Sequence, residues 1–186
     1  MATDGRSNAI IDTSVLVNFL KIDRTDLLAR HPAYRFVVID FVRNEVTRHY
    51  AAQVARLEAA IAAGHLLPDA PPGTTGPAEL ATFAAMAKLK IGDGEKAAIA
   101  AANARRLPLA MDDQRAWKRA AAFCSAIPRE NTVSLVVSLI KTGDIDIAQA
   151  DAMKADWDAN HKFTLPFKSS SWPAAIAPSH FDRLLL

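Results

Sequence analysis

Acidic side chains recur in this chain beside segments that are otherwise built for a core. Asp12 closes the apolar run Ala9, Ile10, Ile11, and Glu45 lies in the first turns of a helical stretch after a second run, Phe36 to Ile39. Glu95 opens an alanine-rich helix behind Gly92-Asp93-Gly94. Asp112 and Asp113 follow a further short apolar run at 107–111. A cluster of three or four carboxylates repels itself and needs cations. Oxygen-only ligands select hard ions, here Mg²⁺ or Mn²⁺, which commonly bridge substrate phosphates. The chemistry such a cluster allows is phosphodiester hydrolysis, with a bound water made more acidic and the attacking and leaving oxygens stabilised. Each acid also has a plainer reading. Asp12 caps a helix beside Thr13 and Ser14, Glu45 and Glu95 suit a helix dipole, and Asp112-Asp113 caps the next helix. Only the set favours a site.

The elements that must position these residues alternate between strand and helix. Apolar runs at 9–11, 36–39, 65–68 and 107–111, with a possible fifth at 126–128, read as strands of a parallel sheet. Helical periodicity spans 41–63, where Val42, Val46, Tyr50, Val54, Leu57 and Ile61 share a face. Further helices are expected at 79–90, 95–106, 114–123, 132–142 and 147–157. The expected class is α/β, a central parallel sheet of about four or five strands covered on both faces. Strand-to-helix junctions of such a sheet share one edge, which brings Asp12, Glu45 and Asp112-Asp113 together. That rule does not place Glu95, which starts a helix rather than following a strand. Residues 1–143 are read as one domain, with 144–186 a helical and Pro/Ser-rich extension packed on it.

With 186 residues, 51% of them hydrophobic, the chain can bury one sizeable core. A net charge of +2 permits a polyanionic partner without demanding one. The single Cys124 excludes an intramolecular disulfide and fits a reducing compartment. No segment approaches the ~18 apolar residues of a membrane span, and the polar start MATDGRSN lacks a signal-peptide core. A soluble, cytoplasmic protein is expected.

Three motifs carry a resemblance to a known family: IIDTSVLVNFL, FVRNEVTRHY, and GDGEKAAIAAANARRLPLAMDDQRAWKRAA. In this order they resemble the PIN-domain nucleases, particularly VapC-like toxins and related prokaryotic PIN proteins, over about residues 9–142. The resemblance implies a three-layer α/β/α fold, dependence on Mg²⁺ or Mn²⁺, and endoribonuclease activity that prefers single strands. It also implies a homodimer and, often, inhibition by a small antitoxin. Asp12, Glu45, Glu95 and Asp113 match the family's metal ligands, with Asp112 the alternative to Asp113, and Ser14 matches a supporting hydroxyl. Asp93 is an auxiliary acid or a turn residue. Met111 departs from the family's usual threonine.

Arg43 and Arg48 share a helix with Glu45, and Arg115, Lys118 and Arg119 follow Asp113 with Trp117 among them. They form a phosphate-positioning set with one possible stacking platform, or a solvated helix face with Trp117 buried. A haloacid-dehalogenase type phosphatase would need a second Asp where Ser14 stands. A PIN-like scaffold that no longer cuts and a DNA-directed nuclease remain the alternatives.

Overall fold

A computed structural model describes residues 5–69, 76–165 and Trp172. The first strand, β1 (Ser7–Ile11), has its last three residues buried and pairs on both sides. It is followed by α1 (Thr13–Lys21) and the short α2 (Thr25–Ala29). The chain continues through β2 (Tyr34–Val38), α3 (Asp40–His49), a 3-10 turn (Ala51–Gln53), α4 (Val54–Ala62) and β3 (Leu67–Pro68). Next come α5 (Pro77–Ala85), α6 (Asp93–Arg105), β4 (Leu109–Ala110), α7 (Gln114–Arg119) and α8 (Ala121–Cys124). The last described elements are β5 (Arg129–Glu130), α9 (Thr132–Thr142) and α10 (Ile147–Asn160).

The five strands form one parallel sheet in the order β3-β2-β1-β4-β5. Ile10 pairs with Val37 on one side and Leu109 on the other, so β1 is central and buried. Helices flank the sheet, giving the three-layer α/β/α arrangement of a PIN-like fold. Such strands need no polar face, which explains their unbroken apolar runs.

The expected helix over 41–63 is interrupted. Tyr50 leaves helical geometry (φ −131°, ψ 52°), and the chain turns before α4. The bend lets Arg56 reach the end of α1, donating to the Leu20 and Lys21 carbonyls at 2.8 Å each. The apolar stripe survives because two short helices present it to the same core. The fifth strand forms at Arg129–Glu130 rather than at 126–128, where Met111 N–H donates to the Glu130 carbonyl.

Ala97, Ala98, Ala100, Ala101 and Ala102 of α6 are buried with Ile99, and the small side chains let the helix pack against β1, α3 and α5. Because α6 precedes a parallel strand, it runs back along the sheet. Its N-terminus therefore sits at the edge where the strands end, which supplies the missing placement of Glu95.

Helix α10 packs on α1. Trp157 meets Phe19 edge-on at 5.9 Å and donates its Nε1–H to the Asn18 carbonyl at 2.8 Å. Phe167, Phe181 and most of the expected Pro/Ser-rich tail lie outside the described residues.

Candidate active site

At the carboxyl end of β1, Asp12 is 2% exposed. It caps α1, its Oδ2 accepting from Ser14 N–H at 3.0 Å and from Ser14 Oγ at 2.6 Å. Ser14 Oγ in turn accepts from Asp112 N–H at 3.1 Å, joining β1's end to β4's. Asp12 is therefore the cap of α1, and capping does not by itself preclude a role in a site. Burial pushes its carboxyl up to about 6, helped by the charges of Glu95 and Glu45 and opposed by the Ser14 hydrogen bonds.

Glu45, one turn into α3, accepts from Thr13 Oγ1 at 2.8 Å. Gly94 leaves room for it, since a Cβ there would collide with Glu45 Oε2. Glu95 folds back over the start of its own helix, and a Cβ on Gly92 would collide with its Oε2. Burial raises the Glu95 carboxyl, with Glu45 and Asp113 adding to it; N–H groups of Glu95 and Gly92 hydrogen-bond to it and oppose the rise. Asp113 caps α7, its Oδ1 accepting from Arg115 N–H at 2.7 Å and Ala116 N–H at 2.8 Å.

Asp12, Glu45, Glu95 and Asp113 thus stand together at the strand ends: the charges of Glu95 and Glu45 act on Asp12, and those of Glu45 and Asp113 act on Glu95. No ion pair among the described residues involves any of the four. Among the described residues, no three Asp, Glu, His or Cys side chains stand together closely enough to hold a single metal ion as they are. Each carboxylate is instead turned to a local donor: a hydroxyl for Asp12 and Glu45, helix-start N–H groups for Glu95 and Asp113. The donor set nonetheless fits a hard cation in kind. It is all oxygen, anionic, crowded and, among the described residues, without an ion-paired cation, and Asp12 is buried against its own charge.

The neighbouring Asp112 is placed differently. Its Oδ1 accepts from Thr132 N–H at 2.8 Å, and its Oδ2 accepts from Thr132 Oγ1 at 2.6 Å and Asn18 Nδ2 at 3.0 Å. Both oxygens are engaged, so Asp112 ties β4 to α1 and α9. Asp113 keeps Oδ2 without a hydrogen bond among the described residues. Met111, at the family's threonine position, is fully buried in the core.

Asp93 is 74% exposed on its side chain and accepts from Lys96 Nζ at 3.0 Å. It borders an open cleft of about 280 Å³ that Glu45 shares with Phe41, Asn44, Arg48, His49 and Gly94. Arg48 therefore stands beside the acids. Arg43 does not: it forks onto Glu58 at 3.0 and 2.6 Å. Arg115 is exposed on α7, Lys118 is exposed with a partner of its own, and Arg119 donates to the Lys90 carbonyl.

Sequence reasoning missed Thr13 as the partner of Glu45, and Asn18 with Thr132 as partners of Asp112. It also missed Tyr50, whose hydroxyl feels Glu45 and Asp12; burial first, then those charges, raises it and keeps it protonated. The polar residues in the buried stretch 13–18 were the available signal.

A family model described as a PIN domain matches residues 8–155, and the chain belongs to that family. PIN domains are a nuclease-type fold, one that generally works with divalent metals. A comparison with curated proteins found no match.

Proposed function

We propose that this chain is a divalent-metal-dependent endoribonuclease that hydrolyses phosphodiester bonds of single-stranded or structured RNA. The observation that supports it is the gathering of Asp12, Glu45, Glu95 and Asp113, from four separate stretches, at one sheet edge with no ion pair to any of them among the described residues. Asp12, Glu45, Glu95 and Asp113 would hold the ion. Mg²⁺ or Mn²⁺, when bound, supplies a more acidic water and neutralises charge on the phosphate. The protein's own part is orientation. Ser14 and Thr13 fix the carboxylates of Asp12 and Glu45, and Gly92 and Gly94 clear the space those of Glu95 and Glu45 occupy. Arg48 and His49 line the adjoining cleft, where a strand's phosphate and base would lie.

The choice of RNA rests on the motif resemblance, as do a cytoplasmic toxin role, a small antitoxin partner and a homodimer. Among the described residues, no helix is long and apolar enough to cross a membrane. Phe41 and Leu80 are exposed beside an apolar groove with Phe83, Ala97 and Ala100, a surface suited to a second copy.

The test is cleavage of labelled single-stranded RNA and DNA with Mn²⁺, with EDTA and Asp12→Asn as controls. Metal-dependent cutting of RNA alone, lost in both controls, supports the reading. Cutting of DNA instead moves the substrate. A folded protein that neither cuts nor binds Mn²⁺ sinks the reading in favour of a PIN-like scaffold.

A further inference from the structure

Arg129 lies on the edge strand β5, opposite Leu109 of β4. Its guanidinium sits over the Trp117 indole, 5.0 Å from the ring centroid. Along its side, Nε and Nη2 are shielded from solvent and meet no acceptor among the described residues. These two donors are the fork that binds two oxygens of one carboxylate or phosphate. A paired edge of this kind left both dry and unpartnered is costly, so the free protein holds it at a disadvantage that an oxyanion would remove.

The surroundings are suited to such a ligand. Arg129 and Trp117 line an open cleft of about 420 Å³ with Ala121, Cys124, Ser125 and Ile127. None of these other lining residues is acidic. Trp117 lies one turn along α7 from Asp113, whose carbonyl accepts its N–H at 3.1 Å. Asp112 and Asp113 act electrostatically on the guanidinium, so the cleft adjoins the acid edge on the side away from Glu45.

We propose that the Trp117–Arg129 cleft is a phosphate subsite, that the shielded Nε–Nη2 edge of Arg129 swings into it to meet the ligand, and that the phosphate belongs to a nucleic-acid strand running past Asp113. The indole holds the guanidinium beside it by a cation–π contact and walls the cleft against the neighbouring sugar or base. This rests on the nucleic-acid part of the reading above but not on cleavage.

The test is performed in EDTA, so that no strand is cut. The full chain is titrated with inorganic phosphate and, separately, with a labelled single-stranded RNA oligonucleotide, following tryptophan fluorescence and anisotropy. Trp157 and Trp172 are fully buried, so Trp117 is the reporter. The wild type should respond to both ligands. Arg129→Gln and Arg129→Lys, with unchanged circular dichroism and Mn²⁺ binding, should each bind the oligonucleotide about tenfold more weakly. Only Arg129→Gln should lower the salt slope, by about one. Wild-type affinity in both variants overturns the subsite, and full affinity in the lysine variant overturns the fork. Should the variants unfold, the wild-type titration decides: no response to either ligand overturns the subsite, and a response to phosphate alone overturns the strand as its source. A protein that binds strands through Arg129 yet never cuts RNA supports this subsite while the nuclease reading fails.

Discussion

Asp69 and Glu79 share an arginine, whereas Asp12, Glu45, Glu95 and Asp113 share none. Arg105, at the end of α6, pairs with Asp69 at 2.6 Å and with Glu79 at 3.0 Å, all three side chains a quarter exposed or less. That cluster is charge-compensated by the chain itself, and the two acids raise the Arg105 guanidinium further above its ordinary value. At the other end of the same helix, Glu95 joins three more carboxylates that have only neutral donors. Asp112 shows a third arrangement, neutral donors enough to engage both oxygens. Residue type does not separate a structural acid from one poised for a cation; the source of its compensation does.

The sharpest break in this comparison is Asp12→Asn. It removes the most buried of the acids, and cleavage of RNA should fall by about 10³-fold or more, the equivalent of several kcal/mol of transition-state stabilisation. Initial rates under saturating Mn²⁺ measure it. Arg105→Ala should do the opposite. It removes the guanidinium that Asp69 and Glu79 share, lowering stability by about 2–4 kcal/mol in urea unfolding, while Mn²⁺ affinity in the folded chain stays unchanged.

The pH dependence of stability separates the clusters next. Burial raises Asp12 from 3.8 to about 6, so the folded chain binds its proton more tightly than the unfolded chain does. The stability from protonated Asp12 is complete below pH 3.8 and is lost as the pH rises through 6. In EDTA at pH 8, Asp12→Asn should therefore melt above the wild type, by roughly 5 °C for about 2 kcal/mol. The gap should close towards pH 4 and shrink when Mn²⁺ is added to the wild type. Differential scanning calorimetry across that range checks the sign.

Asp112→Asn should have a smaller effect. It forces an amide against the Thr132 donors, with activity lowered about 10- to 100-fold through displaced neighbours and stability lowered by about 1–2 kcal/mol. Gly94→Ala should be milder still, with Glu45 displaced by the new methyl group and Mn²⁺ affinity reduced by about tenfold while the fold is retained. Initial cleavage rates and urea unfolding measure the first, and calorimetric titration with Mn²⁺ the second.

Much of this was legible in the chain. The buried run ending at Asp12, the helix start at Glu45 and the Asp112-Asp113 step predict a parallel sheet with acids along one edge, because strand periodicity and connection handedness are local or general rules. Residues 132–142 read correctly as a helix from their spacing, and Asn131 supplies its capping box. Pairings distant in sequence were not legible. Nothing in the order of residues says that Asn18 will meet Thr132 at 3.1 Å, or that Thr13 will turn to Glu45. The bend at Tyr50 is hidden because a continuous helix and two short ones have the same apolar spacing. Arg129 is not legible beside a short, weakly patterned strand, because only the fold sets it over Trp117 with Nε and Nη2 shielded.

Calorimetric titration of the apo protein with Mn²⁺, run on the wild type and on Asp12→Asn, Glu45→Gln, Glu95→Gln, Asp113→Asn and Asp69→Asn, tests the central claim most directly. Each of the first four variants should weaken the same binding event by tenfold or more, while Asp69→Asn leaves it unchanged. A wild type that binds no Mn²⁺, or an Asp69→Asn variant that loses as much affinity as Asp12→Asn, would contradict the assignment of the uncompensated acids as the site.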